Sequence, residues 1–157
     1  MSITVSPFTW FSKSIKHIDL STLVSQDIKV ALISSAYTPN ITTHEYFDVS
    51  ISGELVTANG YTNGGQSLTS KTLTSAVVGS WVFSSANPMW AISSASLVSR
   101  MFVLYNNTPS SNKPLLGYGY LNYNAGIPLD VTTGVGYSQT IIVPANGWFQ
   151  INLVNGV

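Results

Sequence analysis

Residues 141–153 read Ile141-Ile142-Val143-Pro144-Ala145-Asn146-Gly147-Trp148-Phe149-Gln150-Ile151-Asn152-Leu153. A β-prone run, four turn formers and a second β-prone run predict two strands joined as a hairpin. Side chains alternate along a strand, so Phe149, Ile151 and Leu153 share one face, while Trp148, Gln150 and Asn152 share the other. The Phe149 face is the expected core face.

Outward from this stretch the same punctuation recurs. Ile28–Ile33 reads as the first strand, followed by a loop-like stretch over 34–52 in which His44–Val49 would form a single turn. Further strands are predicted over 68–74, 81–83, 97–105, 115–123, 135–143 and 148–154, separated by turn formers such as Asn59-Gly60, Asn63-Gly64-Gly65 and Ala86-Asn87-Pro88. Gly60 and one of Gly64 or Gly65 are expected at positive φ. Gly117, Gly119, Gly134 and Gly136 alternate with larger residues, which suggests bulges or close sheet approach. Ahead of these strands, Ser6 would cap a short helix opened by Pro7, with Phe11, Ile15 and Ile18 at helical spacing. The expected architecture is all-β: an antiparallel β-sandwich or jelly-roll-like domain over residues 28–157, preceded by an N-terminal helix or arm over residues 1–27.

At 157 residues the chain fits one domain that buries roughly two thirds of the surface its unfolded form exposes. It has no cysteine, which removes disulfide frameworks, thiolate metal sites and cysteine nucleophiles. Charged residues are only 8% of the chain, six basic against six acidic, so there is no electrostatic handle for nucleic acid or an anionic membrane. Few charges together with four tryptophans favour a surface covered by partners, since large interfaces are depleted in charge and enriched in aromatic residues. Trp10, Phe11, Ile15, Ile18 and Trp90 are the candidate assembly contacts. No run approaches the roughly 20 apolar residues that span a bilayer. Lys13 and Lys16 follow the first aromatic cluster and precede no apolar h-region, which argues against a secretion signal.

Signs of catalysis are sparse. His17 and His44 have no metal-ligand spacing around them, so no metal or cofactor is expected. The group His44, Glu45 and Asp48 reads as a polar loop, and there is no G-x-S-x-G nucleophile elbow. Asp48, Glu54 and Asp130 are the acids from which a glycoside-cleaving pair would have to be drawn, and they are widely separated in sequence. The reading is that of a protein that is not an enzyme. A glycan-binding module would use aromatic and amide side chains around 59–65, Trp90 and 118–123.

The segment Ile28-Lys29-Val30-Ala31-Leu32-Ile33 with Tyr37-Thr38-Pro39, then Asn59-Gly60-Tyr61-Thr62-Asn63-Gly64-Gly65-Gln66, resembles a group of tailed-bacteriophage virion structural proteins that carry an IKVAL strand and a GYTxGG turn. Val98–Tyr105 and Leu115-Leu116-Gly117-Tyr118 are similar to their second half, so the resemblance spans about residues 28–123. It implies a virion component without catalytic residues, in which Gly60, Tyr61, Thr62, Gly64 and Gly65 form a structural turn. Relatives commonly carry acidic residues around this turn, where this chain has Ser, Thr and Asn. The implied partner is a major capsid protein or another virion protein, and the implied location is the virion, assembled in the host cytoplasm. Compact size favours decorating or cementing the capsid, as a homo-oligomer with a trimer among the options. A tail or neck component and a glycan-binding adhesin are the alternatives.

Overall fold

The structure is a computed structural model that describes residues 2–4, 6–77, 79–124 and 126–152, with backbone only for 2–4, 76 and 77. In chain order the strands are β1 (Ser2–Thr4), β2 (Thr9–Trp10), β3 (Ile28–Ile33), β4 (Gln66–Ser67), β5 (Thr72–Val77), β6 (Ser80–Ser84), β7 (Met89–Ala91) and β8 (Leu97–Ser99). They continue as β9 (Met101–Asn106), β10 (Leu115–Tyr120), β11 (Tyr123–Asn124), β12 (Ile127–Pro128), β13 (Val131–Thr133), β14 (Ser138–Ile142) and β15 (Phe149–Asn152). One short helix, α1 (Phe47–Ser50), lies in the loop where a single turn was expected. The result is an all-β domain of several small sheets, antiparallel except where β1 runs parallel to β14.

The five-stranded sheet β2-β10-β9-β3-β4 organises the rest. In β3 and β9 nearly every residue is buried, because this sheet is covered on both faces and its strands therefore read as continuous apolar runs. Val30 lies opposite Leu104 and Leu32 opposite Phe102, and these four join the larger core with Phe83, Trp90, Ile141, Trp148 and Phe149. Ala31 opposite Val103 and Ile33 opposite Met101 point the other way, into a second core with Phe11, Tyr37, Phe47, Tyr105 and Leu115. The sheets β15-β6-β5, β1-β14-β7 and β13-β8 supply Phe83, Trp90, Leu97, Val131, Ile141 and Phe149 to the larger core, and loop residues such as Leu23, Tyr61, Leu68 and Leu121 complete it.

Four expectations need correction. The helix from Ser6 does not form. Ser6 instead donates its N–H to the Tyr120 carbonyl and accepts the Tyr120 N–H on Oγ, making the segment an edge partner of β10. Phe8 and Trp10 then alternate in the extended manner and pack on Phe149, with only a 3-10 turn at Ser14–Lys16. Aromatic and β-branched residues gain little from a helix here, and sheet pairing wins. The run 97–105 is two strands: Val98 pairs with Thr132, Met101 with Ile33, and the chain changes sheet at Arg100. The strand expected over 68–74 begins at Thr72, the one over 115–123 stops at Tyr120, and the one over 135–143 begins only at Ser138.

The fourth correction concerns residues 141–153, which give strands but no hairpin. β14 pairs with β1 and β7, whereas β15 pairs with β6. Gly147 has φ of 77° and lies so close to the Phe83 carbonyl that a Cβ would collide with it. The Trp148 N–H bonds that carbonyl at 2.8 Å, so the turn hands the chain to another sheet. Within the strand the expected alternation is observed, with Phe149 buried and Gln150 and Asn152 exposed, but Trp148, expected on the outer face, precedes the strand and is buried in the larger core; Leu153 and Val154 lie outside the described residues.

Candidate functional site

The turn over 54–66 is built from a carboxylate outward. Leu55 donates its N–H to the Leu32 carbonyl at 3.1 Å, which brings Glu54 alongside the end of β3. Ala58 and Tyr61 exchange both backbone hydrogen bonds, at 3.0 and 2.8 Å, around Asn59 and Gly60 at φ of 57° and 94°. Two successive residues at positive φ make the tight hairpin turn that Asn-Gly favours. Gly65 closes a second turn on the Thr62 carbonyl at 2.9 Å, and Gly64 and Gly65 have φ of 89° and 69°. All three motif glycines are thus left-handed, one more than expected.

Close approach matters as much as φ. A Cβ on Gly60 would overlap the Ala91 carbonyl and one on Gly65 the Val30 carbonyl, while Gly64 has ordinary space. The Tyr61 ring is buried beside Trp90, and its hydroxyl donates to Glu54 Oε1 at 2.8 Å while accepting the Leu32 N–H at 3.2 Å. Glu54 also accepts the Gly64 N–H on Oε1 and the Asn63 amide on Oε2. Tyr105 donates its hydroxyl to the Gly64 carbonyl at 2.6 Å. Burial, with the Glu54 charge adding to it, pushes the Tyr61 and Tyr105 hydroxyls well above the usual tyrosine range, so both stay protonated donors. Gln66 ties the turn to the next sheet by accepting the Met89 N–H and donating to the Met89 carbonyl. Thr62 is exposed.

Beside this turn lies a polar cleft of about 520 Å³, bounded by Lys29, Phe47, Asp48, Glu54, Tyr105 and Lys113 among others. Phe47 and Tyr105 are stacked, with ring centroids 3.8 Å apart and planes 9° from parallel. Asp48 and Glu54 therefore meet at one cleft, while Asp130 is paired with Arg100 at 2.8 Å elsewhere. Both cleft carboxylates serve as acceptors: Asp48 takes the Asn112 and Lys113 backbone N–H groups at 2.9 and 3.0 Å. The group His44, Glu45 and Asp48 is dispersed. His44 bonds the Tyr37 hydroxyl at 2.7 Å, and Glu45 pairs with Lys13 and His17, each at 3.0 Å. Among the described residues no three His, Asp or Glu side chains gather as a metal-binding group, and no helix is long and apolar enough to cross a membrane.

The five candidate assembly contacts divide. Phe11 and Trp90 are buried in the two cores, and Ile18 packs partly buried on the larger one. Trp10 packs at a tilt against Phe149, ring centroids 4.5 Å apart, and lines a second cleft, of about 460 Å³, with Phe8 and Trp148. Ile15 alone among them is strongly exposed, at 71%. The sequence reading overlooked Lys29 as a cleft residue, although a lysine inside an otherwise apolar strand is a signal that one edge of that strand meets water. Compared with protein-family models, with curated proteins and with solved structures, the chain matches none.

Proposed function

We propose that this protein is a non-enzymatic virion structural component that decorates or cements a capsid at junctions between shell subunits. The supporting observation is a nearly charge-free part of the molecule that keeps apolar side chains in water. From Thr72 to Val157 the formal charges are Arg100, Lys113 and Asp130 alone. Within this stretch Met89, Val98, Tyr123, Ile127, Leu129, Val135 and Tyr137 are exposed. On this proposal these exposed apolar side chains are where another protein sits. The resemblance of the Ile28–Ile33 strand and the Asn59–Gln66 turn to phage virion proteins supplies the kind of assembly.

On this reading the small sheets act as two layers of a sandwich-like domain, the five-stranded sheet forming one and β5–β8 with β11–β15 the other. The partner is a capsid or other virion protein, and copies associate as a small symmetric oligomer, a trimer where three shell subunits meet. Neither a cofactor, nucleic acid nor membrane takes part. Many equivalent weak contacts then add up to a shell that is hard to open. Quantifying the protein in purified particles tests the proposal. Hundreds of copies spread over an icosahedral surface are expected; a few tens confined to one vertex or to the tail, or none, overturn it.

A further inference from the structure

We infer that Asn146-Gly147 is a site of spontaneous covalent modification, at which the Asn146 side chain loses ammonia and the chain passes through a cyclic imide to isoaspartate or aspartate. The inference is independent of the virion reading. The Gly147 backbone nitrogen forms a bond to Asn146 Cγ, the Cγ–Nδ2 bond breaks, and the Gly147 amide proton leaves with that nitrogen as ammonia. Water then opens the imide at either carbonyl, and no other reactant is consumed. Asparagine before glycine is the arrangement most open to this attack, because the following residue has no Cβ to obstruct the approach.

Three such pairs lie within the described residues, while a fourth, Asn155-Gly156, lies outside them. What holds each asparagine separates the three. At Asn63 both reacting groups are tied to one carboxylate: the side-chain amide donates to Glu54 Oε2 at 2.9 Å, and the Gly64 N–H donates to Glu54 Oε1. At Asn59 the side chain is anchored on another loop, accepting the Ser94 hydroxyl at 3.0 Å and donating to the Ser96 carbonyl at 3.4 Å. Asn146 differs. It is exposed, and among the described residues its side chain makes no hydrogen bond. The bond that must open there runs from the Gly147 N–H to the Pro144 carbonyl at 2.8 Å; it closes a single surface turn and belongs to no sheet. A side chain free to rotate reaches the attacking geometry without first giving up contacts. The isoaspartate product carries one more backbone carbon and one negative charge, in the turn that delivers β15 to β6 and beside a cleft whose lining residues carry no charge.

The test is to incubate the full chain in mildly alkaline buffer, folded and in guanidinium, and to follow each asparagine by peptide mapping, with isoaspartate marked by enzymatic methylation of its carboxylate. In the folded protein Asn146 is expected to convert at least about ten-fold faster than Asn59 or Asn63, the factor that one hydrogen bond confers. In guanidinium the three should convert at comparable rates, since the contacts that separate them are gone. Conversion of folded Asn59 or Asn63 at a rate comparable to that of Asn146 overturns the inference. So does an Asn146 that stays unmodified in the folded protein for as long as the unfolded chain takes to convert fully. The same ratio of rates in guanidinium also overturns it, because local sequence and not the fold would then set the ranking.

Discussion

The first 71 residues and the remainder of the chain solve the same problem, the satisfaction of backbone polar groups, in different ways. Lys13, Lys16, Asp19, Asp27, Lys29, Glu45, Asp48, Glu54 and Lys71 hold most of the formal charge, and the backbone around them is largely loop. There carboxylates stand in for a sheet ladder: Asp19 accepts the Ser21 N–H and Glu54 the Gly64 N–H, and Asp48 reaches across to the N–H groups of Asn112 and Lys113 in the remainder of the chain. From Thr72 onward, most of the strands hydrogen-bond to one another, and carboxylates are hardly needed. Most of the charge in this protein accompanies irregular backbone, while the charge-poor remainder relies on pairing between strands.

Glycine substitutions in the turn test the first half of that contrast most severely. Gly60→Ala and Gly65→Ala combine a left-handed φ with collision against a carbonyl, and each should cost about 3 kcal/mol or more. Gly64→Ala meets only the φ penalty, about 1 kcal/mol. Urea unfolding measures all three, and equal losses would contradict the role given to close approach.

In the second half the corresponding test is a neutral polar group. Gln139 is buried, accepts from Thr133 Oγ1 at 3.2 Å and donates to Ser99 Oγ at 2.8 Å, joining β14 to the β8–β13 pair. Replacing it with Leu strands two buried hydroxyls and should destabilise by about 2 kcal/mol. A neutral outcome in denaturant melts would mean that this polar link is not what holds those strands together.

A smaller effect is expected from pH. Hydrogen bonds from Lys13 and His17 hold the Glu45 carboxyl down at about 2, below its ordinary 4.5. A depressed folded-state value stabilises the fold above the ordinary pKa, and that contribution is lost as pH falls from about 4.5 toward 2. Glu45→Gln should flatten the stability profile in this window, and thermal melts that stay parallel to wild type across it would refute the assignment. Smallest in stability is Tyr137→Ser on the charge-free side, within about 0.5 kcal/mol because the side chain is exposed. On the proposed virion role its expected consequence is weaker incorporation into particles, and unchanged incorporation of this variant and of Ile127→Ser would separate the exposed apolar residues from assembly.

What was legible in the sequence was local. Ile28–Ile33 appears as a strand with the bounds expected, because a short, mostly apolar run rich in Ile and Val between polar stretches has few other outcomes. Gly60 and its neighbours were legible as a left-handed turn, since Asn-Gly adopts that backbone at little cost. Gly117 was legible as a site of close approach: it lies at a register irregularity of the β9–β10 pair, with the Phe8 ring against it. The Lys29–Lys113 cleft was not legible, because its walls come from β3, the α1 loop, the 54–64 turn, β9 and the 107–113 loop, which share no local pattern.

The sequence by itself therefore determined that the chain is β-rich, where many of its strands and turns fall, and which face of Phe149–Asn152 is apolar, since propensity and alternation act over a few residues. Tertiary structure alone decided which strands pair. Ile141 and Phe149 stand eight positions apart across a turn of Pro, Ala, Asn and Gly, yet they end in different sheets. Ser6 has the chemistry of a helix cap, yet it bonds Tyr120. In each case the deciding partner, Phe83 or Tyr120, is far away in sequence, and an unpaired backbone group is satisfied by whichever partner the packed core brings within reach.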